Sequence, residues 1–181
     1  MQYPATHLVV MGVAGSGKST LAAALSQQLG WACAEADEFH PEANIAKMTQ
    51  GIPLQDEDRW PWLQEIRGWM SAQAAAGKST VLTCSALKRS YRDLLSQANG
   101  RVIFLHLDGG ADLISRRMQG REGHFMPPTL LPSQLATLEP LTQEELDAGS
   151  LRLDIARSPE ELAAAVVNAL KLPTGQAPQA S

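Results

Sequence analysis

Cysteine is scarce in this chain. Cys33 and Cys84 are the only two among 181 residues, too few for a disulfide framework and without the paired spacing of a zinc site. No apolar run approaches the ~20 residues that a membrane-spanning helix needs. Residues 1–11 show neither the basic start nor the long apolar stretch of a secretory leader. Together these gaps lead to the expectation of a cytoplasmic protein with no membrane partner. A basic tract is missing too: 15 Lys and Arg stand against 19 Asp and Glu, a formal charge of −4, which argues against wholesale nucleic-acid binding. No internal repeat appears. Hydrophobic residues make up 44% and charged residues 19%, a balance that can bury a sizeable core. One domain is expected over residues 1–172. Pro173-Thr174-Gly175-Gln176-Ala177-Pro178-Gln179-Ala180-Ser181 carries no apolar periodicity, and 173–181 is expected to be a disordered tail.

What is present begins with Gly12-Val13-Ala14-Gly15-Ser16-Gly17-Lys18-Ser19. The run fits G-x-x-x-x-G-K-[ST], the P-loop pattern. Its glycines let the backbone curl so that successive N–H groups converge on one anion, and a following helix adds its positive end. Lys18 is placed to reach the β- and γ-phosphates, and the Ser19 hydroxyl to take one position on Mg²⁺. The setting is the one the motif requires. His7-Leu8-Val9-Val10-Met11 reads as a buried strand, and Thr20-Leu21-Ala22-Ala23-Ala24-Leu25 opens a strong helix.

Strands and helices then alternate, which predicts a parallel sheet covered on both faces. Trp31–Ala36 is a weak second strand running into Asp37-Glu38-Phe39-His40-Pro41. A short helix is expected over Ala43–Gln50. A long one starts at Asp56 or Asp58 and ends at Gly77, with Pro61 acceptable only near its first turn. Thr80–Cys84 and Arg101–Leu107 are the third and fourth strands, with a helix to about Ala98 between them. A further helix is expected over Ala111–Gln119, then a Gly- and Pro-rich segment from Gly120 to Pro132. Leu151–Ile155 is the fifth strand. Ser158-Pro159-Glu160-Glu161 carries a capping box with Pro at the first helical position. Five strands joined by right-handed crossovers give a three-layer α/β/α domain.

Ligands of open α/β sheets gather at the carboxyl ends of the strands, and three polar clusters fall there. Asp37 follows the second strand. It could accept a proton from a hydroxyl, orient that hydroxyl for in-line attack, hold water on Mg²⁺, or simply cap a helix. His40 lies one turn on and either hydrogen-bonds a substrate or is a satisfied structural histidine. Asp56-Glu57-Asp58-Arg59 opens a helix, so at least one acid there is an N-cap or a first-turn anion. The Arg59 fork suits a carboxylate or phosphate, with an ion pair to Asp56 as the bland alternative. Trp60, Trp62 and Trp69 read mainly as packing.

Many P-loop proteins carry an Asp at the end of the third strand to hold the Mg²⁺ shell. This chain has Cys84 and Ser85, which leaves Asp37 as the nearest substitute. Nothing adjacent argues for Cys84 as a nucleophile. Lys88 and Arg92 are four apart and expected on one helix face, where they could meet an anionic substrate or solvent. Arg117 and Arg121 are also four apart, at a helix end where glycines 120 and 123 permit bending, and are expected in a lid of about 117–132. There they would neutralise transition-state charge on closure or merely complement a helix C-terminus.

Beyond the P-loop run, extended by Thr20, six further segments carry a specific resemblance. They are Asp37–Pro41, Asn44-Ile45-Ala46-Lys47-Met48, Gly51-Ile52-Pro53-Leu54, Asp56–Leu63, Cys84–Lys88 with Tyr91-Arg92, and His124-Phe125-Met126-Pro127. The chain resembles the gluconate kinases (gluconokinases) of the P-loop, nucleoside-monophosphate-kinase-like fold, from about His7 to Leu170. The resemblance implies ATP- and Mg²⁺-dependent phosphorylation of D-gluconate at its 6-hydroxyl, giving 6-phospho-D-gluconate. It also implies strand order 2-3-1-4-5, a mobile lid and a homodimer. It puts Gly12, Val13, Ala14, Gly15, Ser16, Gly17, Lys18, Ser19 and Thr20 on the nucleotide phosphates, and Arg117 and Arg121 in the lid. Similarity to shikimate kinases suggests Asp37 at the acceptor hydroxyl and Arg59 on the substrate carboxylate. His40, Lys88 and Arg92 complete the expected substrate inventory, with Ser19 and Asp37 on the metal. A nucleoside-monophosphate or shikimate kinase, and a nucleotide switch without turnover, are the rival readings.

Overall fold

The structure is a computed structural model and describes residues 5–110, 113–114 and 131–173. Five strands form one parallel sheet in the order β2-β3-β1-β4-β5, as the resemblance implies. They are β1 (Thr6–Met11), β2 (Ala32–Glu35), β3 (Thr80–Thr83), β4 (Arg101–Asp108) and β5 (Leu151–Asp154). The helices are α1 (Lys18–Leu29), α2 (Glu42–Thr49), α3 (Asp56–Ala75), α4 (Arg89–Leu95), α5 (Leu131–Thr137), α6 (Gln143–Asp147) and α7 (Pro159–Leu170). A 3₁₀ turn, Ala36–Phe39, joins β2 to α2.

Every residue of β1 is buried, because helices cover both of its faces. The two-residue period of a strand then sorts its side chains. Leu8 and Val10 pack with Leu21, Leu25 and Val166, on the side of α1 and α7. Val9 and Met11 pack with Leu63, Ile66, Met70 and Leu95, on the side of α3 and α4. In β4, Ile103, Leu105 and Leu107 join the first layer and Phe104 the second. One alternating run thus feeds two cores and fixes the three-layer arrangement. Each of these large side chains contributes about 1.5–3 kcal/mol on burial.

Helix ends follow local chemistry. The N-cap of α3 is Gln55 rather than one of the acids: Asp58, three residues into the helix, reaches back to the Gln55 N–H at 2.9 Å in a capping box. Pro61 sits in the second turn. Pro61 is exposed there, and it has no N–H to give to the carbonyl four residues before it. Ser158 caps α7 by accepting from the Glu161 N–H at 3.1 Å, with Pro159 at the first position. The Glu161 carboxylate instead accepts from the Ser158 hydroxyl at 3.1 Å, so the expected box is only half made. The helix expected over 111–119 and the lid expected over 117–132 lie outside the described residues, except that 113–114 are helical and Leu131 opens α5. The tail from 174 also lies outside them. Both α5 and α6 are elements that apolar periodicity did not announce.

Candidate active site

The loop between β1 and α1 holds Gly12, Gly15 and Gly17 at φ of 147°, 83° and 98°. Gly17 is the left-handed N-cap of α1 and brings no side chain to the helix start, leaving that end to an anion. Gly12 has no room for anything larger: a Cβ there would meet Ser16 Oγ at 2.8 Å and the Leu107 carbonyl at 3.1 Å. Ser16 Oγ is buried without a hydrogen-bond partner among the described residues. Lys18 Nζ donates to the carbonyls of Gly12 (3.1 Å) and Val13 (3.0 Å), and the Ala14 N–H donates to Gln134 Oε1 at 2.7 Å. The lone hydroxyl, the cradle closed to a Cβ and the bare helix start all fit a polyphosphate. Among the described residues no cluster of three or more His, Cys, Asp or Glu could hold a metal. Mg²⁺ keeps several waters and leans on phosphate oxygens, and the residues here that could join it are Ser19 and Asp37.

Beside this loop lies a cleft of about 550 Å³, counting the part open to solvent, and Asp37, His40, Arg59, Trp62, Ser85 and Gln134 are among its lining. Asp37 comes from the 3₁₀ turn after β2 and is exposed at 59% of its side chain. Both Asp37 and Lys18 act electrostatically on the thiol of Cys84 at the end of β3, so nest and cleft meet over that strand. Burial pushes the Cys84 thiol up to about 12; it stays protonated and is no nucleophile. His40 lies flat on Trp62, with ring centroids 4.0 Å apart and planes at 15°. Burial first, then the Arg59 charge, lowers its pKa to about 4, so the ring is neutral near pH 7.

Arg59 is held by a small network. Its Nη1 donates to the Tyr91 hydroxyl at 3.0 Å, and that hydroxyl donates to Asp56 Oδ1 at 2.5 Å. Lys88 Nζ reaches the same carboxylate at 3.1 Å. Tyr91 and then Lys88 hold the Asp56 carboxyl below its ordinary value, while burial and then Asp56 push the Tyr91 phenol up. The Tyr91 hydroxyl therefore keeps its proton, donating to Asp56 and accepting from Arg59. The Asp56–Arg59 distance of 4.0 Å is the pair weighed above; here the acid steadies an arginine that still lines the cleft. Lys88 does not line it and serves Asp56 instead.

Arg92 corrects the expectation. It is fully buried at 0% exposure and does not share an accessible face with Lys88, which is the residue before α4. Its Nε donates to Glu145 Oε2 at 2.7 Å and its Nη2 to Glu145 Oε1 at 3.0 Å. Nη1 donates to the Ala86 carbonyl at 2.9 Å. A buried guanidinium needs a paired acid and every available carbonyl, and Glu145 of α6 supplies the acid. The clamp also steadies Ala86, whose φ of 45° is a strained value for a residue with a side chain, between cleft residues Ser85 and Leu87. Arg92 is thus a structural clamp and not a substrate ligand. Glu145 had no sequence signal, since the contact spans 53 residues.

Arg117 and Arg121 lie outside the described residues. Three residues of the site went unassigned in the sequence. Tyr91 and Asn44 sit inside segments of the resemblance without a role. Gln134 lies 120 residues from the Ala14 amide it touches, a pairing no local pattern encodes.

A glycine nest ahead of a helix, on the central strand of a 2-3-1-4-5 sheet, defines a P-loop nucleotide-binding protein. A family model described as an AAA domain matches residues 8–141. The chain is 54% identical over 132 residues to a gluconokinase of Gluconobacter oxydans, covering 73% of this chain and 74% of the relative. A sugar kinase from Janibacter superposes with a TM-score of 0.88 at 53% identity, over 93% of this chain and 96% of the other. A gluconokinase from Sinorhizobium meliloti does so at 0.80 and 41%, over 94% of each. The chain belongs to the gluconokinase family.

Proposed function

We propose that this chain phosphorylates D-gluconate at the 6-hydroxyl with ATP, giving 6-phospho-D-gluconate and ADP. The observation that carries the reading is the cleft beside the nest, where a carboxylate (Asp37), a neutral imidazole (His40) and an anchored guanidinium (Arg59) line one space. Gluconate is an anion with a chain of hydroxyls, and this inventory complements it. Arg59 pairs with the carboxylate. Asp37 faces the far hydroxyl, as base or as orienter. Lys18 turns from its loop carbonyls to the β- and γ-phosphates, while Gly12 to Thr20 wrap the polyphosphate. When bound, Mg²⁺ neutralises the oxygens of the transferring group; Ser19 and Asp37 are the residues to hold it.

Arg117 and Arg121, in a mobile lid, add charge at the γ-phosphate in this reading. The family resemblance is their support, and also that of a homodimer. Two free thiols, Cys33 exposed and Cys84 buried, suit the cytoplasmic setting that belongs to the same proposal.

An acceptor panel with Mg-ATP tests it. ADP release should rise with gluconate and not with shikimate, AMP or other sugar acids. Preference for one of those would replace gluconate, and nucleotide binding without acceptor-stimulated turnover would favour a switch.

A further inference from the structure

Asn44 touches no part of the phosphate nest, yet it decides what the cleft offers its ligand. Its side chain is buried in α2, at 3% exposure, and Nδ2 lies 2.8 Å from the Asp58 carbonyl. A peptide carbonyl can only accept. The amide must therefore present its nitrogen there, since the flipped form would set oxygen against oxygen. The same Nδ2 lies 3.2 Å from His40 Nδ1. An NH₂ group carries two hydrogens; with one on the carbonyl, the other faces the imidazole. His40 Nδ1 must accept it, which leaves the single proton of the neutral ring on Nε2.

Turning the ring over would keep it stacked but put carbon opposite Asn44 and lose that hydrogen bond. Its face lies on Trp62, and the indole N–H of Trp62 is fixed to the Ala36 carbonyl at 2.7 Å. At the cleft wall, in a side chain only 3% exposed, Nε2 lies 3.9 Å from Asp37 Oδ1, too far for a hydrogen bond. An incoming oxygen can take that N–H without breaking a bond to Asp37. Arg59 and Asp37 are the charged cleft groups facing the ring, and Lys47 is drawn aside onto Asp58 at 2.9 Å.

We propose that Asn44 is a positioning residue that locks His40 as an Nε2–H donor, so that the cleft selects a hydroxyl or carboxylate oxygen beside Asp37. This deepens the gluconate reading and rests on it for the identity of the ligand, but not for the tautomer. The opposite tautomer would present a lone pair to the cleft, next to a carboxylate. It would leave two acceptors side by side and one neutral donor fewer for the sugar acid's chain.

The test is ¹⁵N–¹H NMR of the full chain with labelled histidine at pH 7, with His40 assigned by the signal lost in His40→Gln. The expected result is a ring protonated at Nε2 only. A proton on Nδ1, or a fast average of the two forms, overturns the inference. Asn44→Asp replaces the donor with an acceptor and should move the proton to Nδ1. In that variant the KM for gluconate should rise about tenfold, the scale of one lost hydrogen bond, with the KM for ATP little changed. Equal increases in both constants, or an unmoved tautomer in folded protein, also overturn it. Should Asn44→Asp not fold, His40→Leu and His40→Gln provide the kinetic arm. Gln keeps an N–H near the Nε2 position and should retain most gluconate affinity, which Leu should lose; equal losses count against the donor role. Failure of the gluconate reading would appear separately, as absent turnover with the wild-type tautomer intact.

Discussion

Arg92 Nε lies 2.7 Å from Glu145 Oε2, with both residues buried beneath the loop that lines the cleft. Burial pushes the Glu145 carboxyl up, but the Arg92 guanidinium and the Thr142 N–H outweigh it, and the net displacement is downward. The pair joins α4 to α6 and holds the Ala86 carbonyl in place. Arg92→Ala should destabilise by about 3–5 kcal/mol, because it strands a buried carboxylate. Replacing both partners with apolar residues of similar volume should cost less. Denaturant unfolding of the single and double variants checks this. Normal stability with a raised gluconate KM in Arg92→Ala would return Arg92 to the substrate.

Gly12→Ala should abolish tight nucleotide binding while leaving the sheet folded. The new methyl meets Ser16 Oγ at 2.8 Å and the Leu107 carbonyl at 3.1 Å, at a φ of 147°, so the nest must open to admit it. ATP titration should show an affinity loss of at least about tenfold, more than ~1.4 kcal/mol. Unchanged affinity would mean that the nest does not bind the phosphates.

Tyr91→Phe removes the hydroxyl that links Arg59 to Asp56 and keeps the ring. The KM for gluconate should rise about tenfold, near the ~1.5 kcal/mol lower end for a hydrogen bond to a charged partner, with the KM for ATP unchanged. Arg59→Ala should show the same split more strongly. A fall in melting temperature without a change in either KM would make the network structural.

His40 sets a pH dependence of known sign. Its pKa is about 4 in the folded chain against about 6.5 when unfolded. Between those values the unfolded chain binds more protons, so the contribution is fully present above about pH 6.5 and is lost as pH falls towards 4. Asp56 and Asp58, both lowered by their partners, also lose stability on acidification. His40 is isolated by comparing wild type with His40→Gln: the variant's melting temperature should fall less between pH 6.5 and 4.5. Parallel curves would contradict the assignment.

Much of the fold was legible because β1 and the P-loop state their own geometry. A continuous apolar strand calls for helices on both faces, and the glycine spacing calls for a nest. The site was legible only in part. Asp37 and His40 closely follow β2 and Arg59 lies in the first turn of α3, where position along the chain predicts the cleft. Arg92 was misread because an arginine four residues from Lys88 looks like a solvent face until Glu145 arrives from 53 residues away. Asn44 could not be assigned a role, because its importance depends on the Asp58 carbonyl that orients its amide.

The central claim is that the nest and the adjoining cleft hold ATP and a sugar acid together, with the far alcohol at the γ-phosphate. Product analysis by ³¹P NMR after incubation with Mg-ATP and ¹³C-labelled gluconate tests this most directly. The account predicts a phosphate ester coupled to carbon 6, formed in step with ADP. Phosphate on another carbon, or ADP appearing with inorganic phosphate alone, would contradict it.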